Sequence, residues 1–253
     1  MIDPQADAWL VEAAGGDIER LQSLRRRVLE GEPAGYVAGL IRFRGLRLKM
    51  DRRAFITDSE TSLLVDVVLE QGRALQRELH RPPRVLEFGV GAGSLSLALH
   101  ALEPEWRYTG LDVDAAALEL AAENAASHAC RLDLLQSDYL DGWPDDRTPP
   151  DLVFGDPPWG SREDLYDAGR DAAYYDAMPP ASAYPHGGRT AIHDELLRRL
   201  RAAGWAARIV LNYGVLPEPL IARSAAPLPQ WRLVHPKPGI SVLVGEANIA
   251  PRP

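Results

Sequence analysis

Residues Arg84 to Ser94 read Arg-Val-Leu-Glu-Phe-Gly-Val-Gly-Ala-Gly-Ser, and this stretch decides the fold. A short apolar run with a β-branched residue enters an acid, Glu87, followed by Phe88 and three glycines alternating with small residues; Leu95 to Leu102 continues with helical apolar spacing. The pattern predicts a strand, a tight turn and a helix. Gly89, Gly91 and Gly93 let the backbone approach a ligand closely and take dihedrals that a Cβ opposes. The N–H groups of the helix start then face whatever sits there.

Strands and helices alternate from Arg84 onward, which implies an α/β fold with a mainly parallel sheet covered on both faces. Arg107 to Leu111 reads as a strand ending in Asp112, Ala115 to Ala126 as its helix, Arg131 to Gln136 and Asp151 to Gly155 as the next strands. Ile209 to Tyr213 and Ser241 to Val244 read as the last strands, with Pro217 to Ala222 a short helix between them. Ligands of such sheets lie beyond the carboxyl ends of the strands, where the strand order switches. Glu87, Asp112, Asp138 and Asp156 all fall at such ends, which packing alone explains poorly. Asp112 follows Gly89 by 23 residues, near the spacing at which an acid accepts hydrogen bonds from ribose hydroxyls. Asp138, between Ser137 and Tyr139, suits an adenine amino group with Tyr139 packing on the ring. Asp114, the competitor for the ribose role, is explained as a helix N-cap.

Ahead of this region, Ala6 to Ala14 and Ile18 to Leu29 are helical patterns separated by Gly15-Gly16. So small a cap is expected to have no core of its own and to pack on the rest of the chain. Gly31 to Gly39 reads as a loop, Ile41 to Met50 as a hairpin of alternating apolar and basic residues, and Thr57 to Glu60 as a capping box before a helix over Leu63 to Leu79. Pro82-Pro83 marks a boundary. The expected division is a helical cap over 1–30, a hairpin and linker helix over 31–80, and the α/β domain over 81–253.

The 253 residues, 46% hydrophobic and 25% charged, suit a globular chain. A net charge of -8 argues against nucleic acid as a partner. No run approaches membrane-spanning length and the N-terminus lacks a targeting pattern, so a cytoplasmic setting is expected. Cys130 is the only cysteine, and the six histidines lack metal-ligand spacing, so no metal site is expected.

Asp156-Pro157-Pro158-Trp159 is the most informative tetrapeptide. Two prolines hold a carboxylate and a carbonyl rigidly at the pocket edge with an indole beyond them. A nitrogen nucleophile needs its N–H groups gripped so that its lone pair points at the reacting carbon. Asp156 and the Pro157 carbonyl are acceptors suited to that grip, and Trp159 to receiving the substrate and stabilising positive charge.

The glycine turn resembles motif I of class I S-adenosylmethionine (SAM) methyltransferases, and the tetrapeptide resembles the Asp/Asn-Pro-Pro-aromatic motif of methyltransferases acting on amide or amino nitrogen. With Gly31-Glu32-Pro33, Phe43-x-Gly45-Leu46 and Ile56 to Leu64, the likeness narrows to the HemK/PrmC type, the release-factor glutamine methyltransferases. It implies a Rossmann-like fold with a seven-stranded, mostly parallel sheet, SAM as cofactor, and SAM contacts at Glu87, Gly89, Gly91, Asp112 and Asp138. Phe88, Gly93, Val113, Ser137, Tyr139 and Asp156 complete the expected cofactor wall; Asp156, Pro157 and Trp159 are the expected catalytic group.

Three departures bear on the substrate. The family's Asn is Asp156 and its Tyr is Trp159; Thr57-Asp58-Ser59 replaces Pro-Arg-Pro; about thirty residues precede Gly31, so the release-factor-gripping domain looks truncated. These favour a small-molecule or peptide-like amine or amide as acceptor, with the release factor as alternative, and a nucleobase amino group or a hydroxyl further behind. A SAM-binding module without catalysis is disfavoured by the intact tetrapeptide, and a homodimer is left open. The substrate wall is expected in the segment Gly160 to Gly188, with Trp159, Tyr166, Tyr175, Tyr184 and His186 as its contacts, and His193 as part of a helix start.

Overall fold

In the computed structural model, residues 1–162, 164 and 172–248 are described. β3 (Arg84–Phe88) is the middle of the parallel sheet, with β4 (Arg107–Asp112) on one side and β6 (Leu152–Gly155) on the other. The sheet has seven strands in the order β5-β4-β3-β6-β7-β9-β8, where β5 is Leu132–Gln136, β7 Arg208–Asn212, β8 Gln230–Lys237 and β9 Ile240–Glu246. Five strands are parallel, and β9 joins antiparallel to β7 and β8. Strand order switches between β3 and β6. The expected α/β, Rossmann-like class is therefore the observed one.

Central strands are buried along their length, as the apolar runs Val85-Leu86 and Leu152-Val153-Phe154 require when helices cover both faces. The helices are α5 (Ser94–Leu102), α6 (Ala115–Ser127), α9 (Ala191–Ala202) and α10 (Glu218–Ala225), together with α4 (Ser62–Leu79). β8 was not anticipated, because at the sheet edge its residues are mostly exposed or half-buried and carry no alternation of apolar and polar positions.

The cap is formed by α1 (Pro4–Ala14) and α2 (Ile18–Leu29), with Asp3 and Asp17 accepting backbone hydrogen bonds at their starts. It does have a small apolar cluster of its own, Leu10, Ala14, Leu24 and Val37, while Trp9 reaches the main core. Val37 comes from a short helix, α3 (Ala34–Ala38), where a loop was expected. Pro33 fixes the entry of α3 and the turn buries Gly35 and Val37, so packing overrides a glycine-rich sequence. The hairpin is β1 (Leu40–Phe43) with β2 (Leu46–Lys49). The capping box does not form: Thr61 sits at the α4 N-cap without a side-chain cap bond, and the Thr57 hydroxyl donates to Ser94 Oγ at 2.7 Å.

Among the described residues between Asp156 and α9 are two short helices, α7 (Ala172–Asp176) and α8 (Pro180–Ala183). Among the described residues no helix is long and apolar enough to cross a membrane.

Gly72, inside α4, shows how tightly the helix layer meets the sheet: an added Cβ would lie 2.1 Å from the Trp106 ring, whose N–H is fixed on Gln76 Oε1 at 2.7 Å. Gly72→Ala is expected to lower stability by about 1–3 kcal/mol through overpacking, although alanine is the better helix former. A denaturant-midpoint comparison checks this, and a variant as stable as the parent contradicts the packing.

Candidate active site

A cavity of about 440 Å³ opens where β3, β4, β6 and β7 end. The turn after β3 forms one wall. Val90 N–H donates to the Leu111 carbonyl at 2.9 Å, drawing the turn onto the end of β4. Gly89 and Gly91 sit at φ +70° and +52°. A Cβ added at Gly89 would meet no atom of the chain and would project into open space at the wall. Asp112 accepts Gly91 N–H at 2.9 Å on one oxygen and Asp114 N–H at 3.0 Å on the other, and burial pushes its carboxyl up. Asp114 caps α6 through Ala116 N–H at 2.9 Å.

Glu87 is buried at the end of β3. One of its oxygens accepts both Ser96 N–H at 2.9 Å and the Ser96 hydroxyl. Burial pushes its carboxyl up to about 8, more than the Ser96 donors pull it down. Phe88 stacks on Tyr139 at 5.5 Å, and together with Val113 and the exposed Asp138 they extend the wall. These residues fit SAM: a side-chain-free turn, an apolar and aromatic slot, and acids placed for an ammonium group and ribose hydroxyls.

Asp156 is on the facing wall, directly after β6. Its Oδ1 accepts Asn212 Nδ2 at 2.7 Å and its Oδ2 accepts the Thr61 hydroxyl at 3.0 Å. Burial pushes the Asp156 carboxyl up, against these donors. Pro157, Trp159, Tyr175 and His186 line the cavity as well.

Of the expected residues, Ser137 and Trp159 line the cavity and also make contacts within the fold, whereas Gly93 and Tyr184 do not line it. Gly93 is not on the cavity wall; at φ +82° it caps α5, and an added Cβ would touch Ala121 and Leu97 at 3.5 Å. The Ser137 hydroxyl donates to the Tyr139 carbonyl at 2.9 Å and accepts Gly142 N–H at 2.8 Å, so it holds its own loop. Trp159 rests on Gly214, where a Cβ would meet the indole at 2.0 Å. Tyr184 lies off the wall, packed on Tyr175 at 6.1 Å with Arg162 over its ring. Tyr166 lies outside the described residues.

Thr61, Ala54, Phe55, Thr57 and Asp58 line the cavity without having been singled out for it, and of Asn212 and Tyr213, both open candidates at the end of the strand, only Asn212 lines it. For Asn212 a signal existed, since it ends a strand as the acids do. For Thr61 there was none, because helical periodicity says nothing about which tertiary partner an N-cap residue meets. His193 is buried in α9, its Nε2–H donating to the Asn212 carbonyl at 2.8 Å, and burial lowers its pKa to about 4.

A cationic group brought beside Glu87 favours the carboxylate, so SAM binding at pH 7 is expected to release protons. Calorimetry in two buffers of different ionisation enthalpy measures this. Glu87→Gln is expected to remove the release and weaken binding by about tenfold or more; unchanged proton release in that variant contradicts the placement of Glu87.

Residues 56–170 match the model of the methyltransferase small domain family. The chain is 32% identical over 217 residues to the release factor glutamine methyltransferase of Bordetella pertussis (strain Tohama I), covering 83% of this chain and 74% of that protein. The release factor glutamine methyltransferase of Lactococcus lactis is 29% identical over 160 residues, 63% of this chain and 56% of that relative, so the chain spans about half the length of some curated relatives it matches. Among solved structures, the hMettl16 catalytic domain, in complex with the MAT2A 3'UTR hairpin 6, has a TM-score of 0.58 at 14% identity, covering 84% of this chain and 80% of that one, which shows the shared fold. On the strength of the Bordetella relative and of this cavity, the chain belongs to the release-factor glutamine methyltransferase family, the HemK/PrmC type of class I SAM-dependent methyltransferases.

Proposed function

We propose that this protein methylates a side-chain amide nitrogen, that of a glutamine presented by a protein, with a peptide chain release factor as the first substrate to test. The observation that carries the reading is the Asp156 carboxylate, held by Thr61 and Asn212 in the same cavity as the Gly89–Gly91 turn and Asp112. The relatives named for glutamine methylation favour this substrate over the small molecule that the Asp156 and Trp159 departures suggested.

Bound SAM supplies an electrophilic methyl carbon. The chain supplies the rest. Asp156 and the Pro157 carbonyl hold the N–H groups of the acceptor, which turns the nitrogen lone pair toward the cofactor side of the cavity. An amide nitrogen that gains a carbon must lose a proton, and a carboxylate whose pKa is raised by burial accepts one more readily than an exposed aspartate does. Phe55, Tyr175 and Pro179 close the apolar side and exclude water. A release-factor substrate also sets the reaction in the cytoplasm.

A second reading, a small-molecule amine, is favoured by the lining itself. Asp58, Glu60, Glu87, Asp112, Asp114, Asp138 and Asp156 face the cavity, and Arg53 is met by Asp51 and Glu123. Such a lining suits a cationic acceptor.

Transfer of labelled methyl from SAM to purified unmethylated release factor, run beside a metabolite extract, separates the two. Label on a release-factor glutamine is the expected result, and label confined to the metabolites replaces the first reading with the second. Asp156→Ala is expected to lower turnover by roughly 100-fold or more with SAM affinity preserved; full turnover removes Asp156 from the mechanism.

A further inference from the structure

The geometry points to Thr61 and Asn212 as a positioning pair that fixes the rotation of the Asp156 carboxylate and so aims its remaining acceptor capacity into the cavity. The inference rests on the proposed role of Asp156 in holding the acceptor nitrogen. Neither residue is near the tetrapeptide in sequence. Asn212 ends β7, which runs parallel to β6 with Gly155 opposite Leu211, so Asp156 and Asn212 leave neighbouring strands side by side. Thr61 arrives from the opposite direction, at the start of α4. Each supplies one donor to a different carboxylate oxygen, at 2.7 Å from Asn212 and 3.0 Å from Thr61. A carboxylate constrained at both oxygens cannot turn about its Cβ–Cγ bond without breaking a hydrogen bond.

Asn212 is itself locked. Its side-chain oxygen accepts Gly214 N–H at 3.0 Å, which leaves only its NH₂ to face Asp156. Its backbone carbonyl is bound by His193 Nε2 at 2.8 Å, and the next residue, Tyr213, is tied through Ser224 to Asp194. Asn212, oriented by Gly214, presents a donor to position 156. Asp156 accepts Asn212 with one oxygen and the Thr61 hydroxyl with the other.

The acidic groups facing Asp156 are Asp58, from the segment before α4, and Glu87, from the end of β3, whose own carboxyl is pushed up to about 8. The Asn212 and Thr61 donors pull the Asp156 pKa down, against the burial that pushes it up.

The test is a carboxyl-carbon NMR titration of aspartate-labelled protein, together with steady-state methyl transfer to unmethylated release factor. Thr61→Val and Asn212→Leu are each expected to move the Asp156 titration up by roughly one pH unit, to lower kcat by roughly 10-fold to 100-fold, and to shift the acidic limb of kcat/KM upward with it. SAM affinity stays at the parent value, and Thr61→Ser restores the parent profile. An Asp156 titration unmoved in both variants overturns the inference, since a merely structural role would lower stability and leave that titration in place. A moved titration with parent kcat also overturns it, and Asp156→Ala in the same assay then shows which statement failed: lost turnover retains Asp156 and removes its positioning pair, whereas retained turnover removes the role of Asp156 itself.

Discussion

Three carboxylates end three strands of one parallel sheet, and each must be given donors because each is withdrawn from bulk water. Glu87 takes Ser96 from the first turn of α5, Asp112 takes the backbone of Gly91 and Asp114, and Asp156 takes Thr61 and Asn212. Much of the local structure around the cavity follows from meeting these demands. The turn after β3 curls back so that Gly91 N–H reaches Asp112, and α5 begins where Ser96 can reach Glu87. The donors leave each acid raised in pKa but held in place, a state in which a cationic cofactor or a reacting nitrogen changes its protonation at modest cost.

The segment before α4 couples the hairpin to this arrangement. Thr57 binds Ser94 and Thr61 binds Asp156, so two hydroxyls four residues apart connect the linker to the cofactor wall and to the facing wall. The ion pair of Glu60 with Lys237 ties the same segment to β8 at the far edge of the sheet. A cavity built this way depends on the linker being docked, which gives residues outside the α/β core a direct part in its geometry.

Much of the fold was legible in the chain. The strand-turn-helix at Arg84 to Leu102, the alternation after it and the acids at strand ends are local patterns, and the periodicities of buried strands and helices write them into sequence. The expected helix over Leu63 to Leu79 is α4 within one residue at its start. What was illegible is of a different kind. The α3 turn forms in a glycine-rich stretch because burying Val37 outweighs local propensity, and β8 is an exposed edge strand whose pairing with β9 supplies the order its sequence does not.

The sequence by itself determined which residue types stand at the strand ends: the glycine turn, Glu87, Asp112 and the Asp156 tetrapeptide, because strand register and turn chemistry are properties of neighbouring residues. Only the tertiary structure decided what each of them touches. Gly93 turned out to serve helix packing, Tyr184 to pack behind Tyr175, and Thr61 and Asn212 to hold Asp156 across 95 and 56 residues of chain. Those contacts depend on how the sheet twists and which helix end is brought to which strand end, and hydrogen bonds between side chains so distant in sequence leave no periodic trace in it.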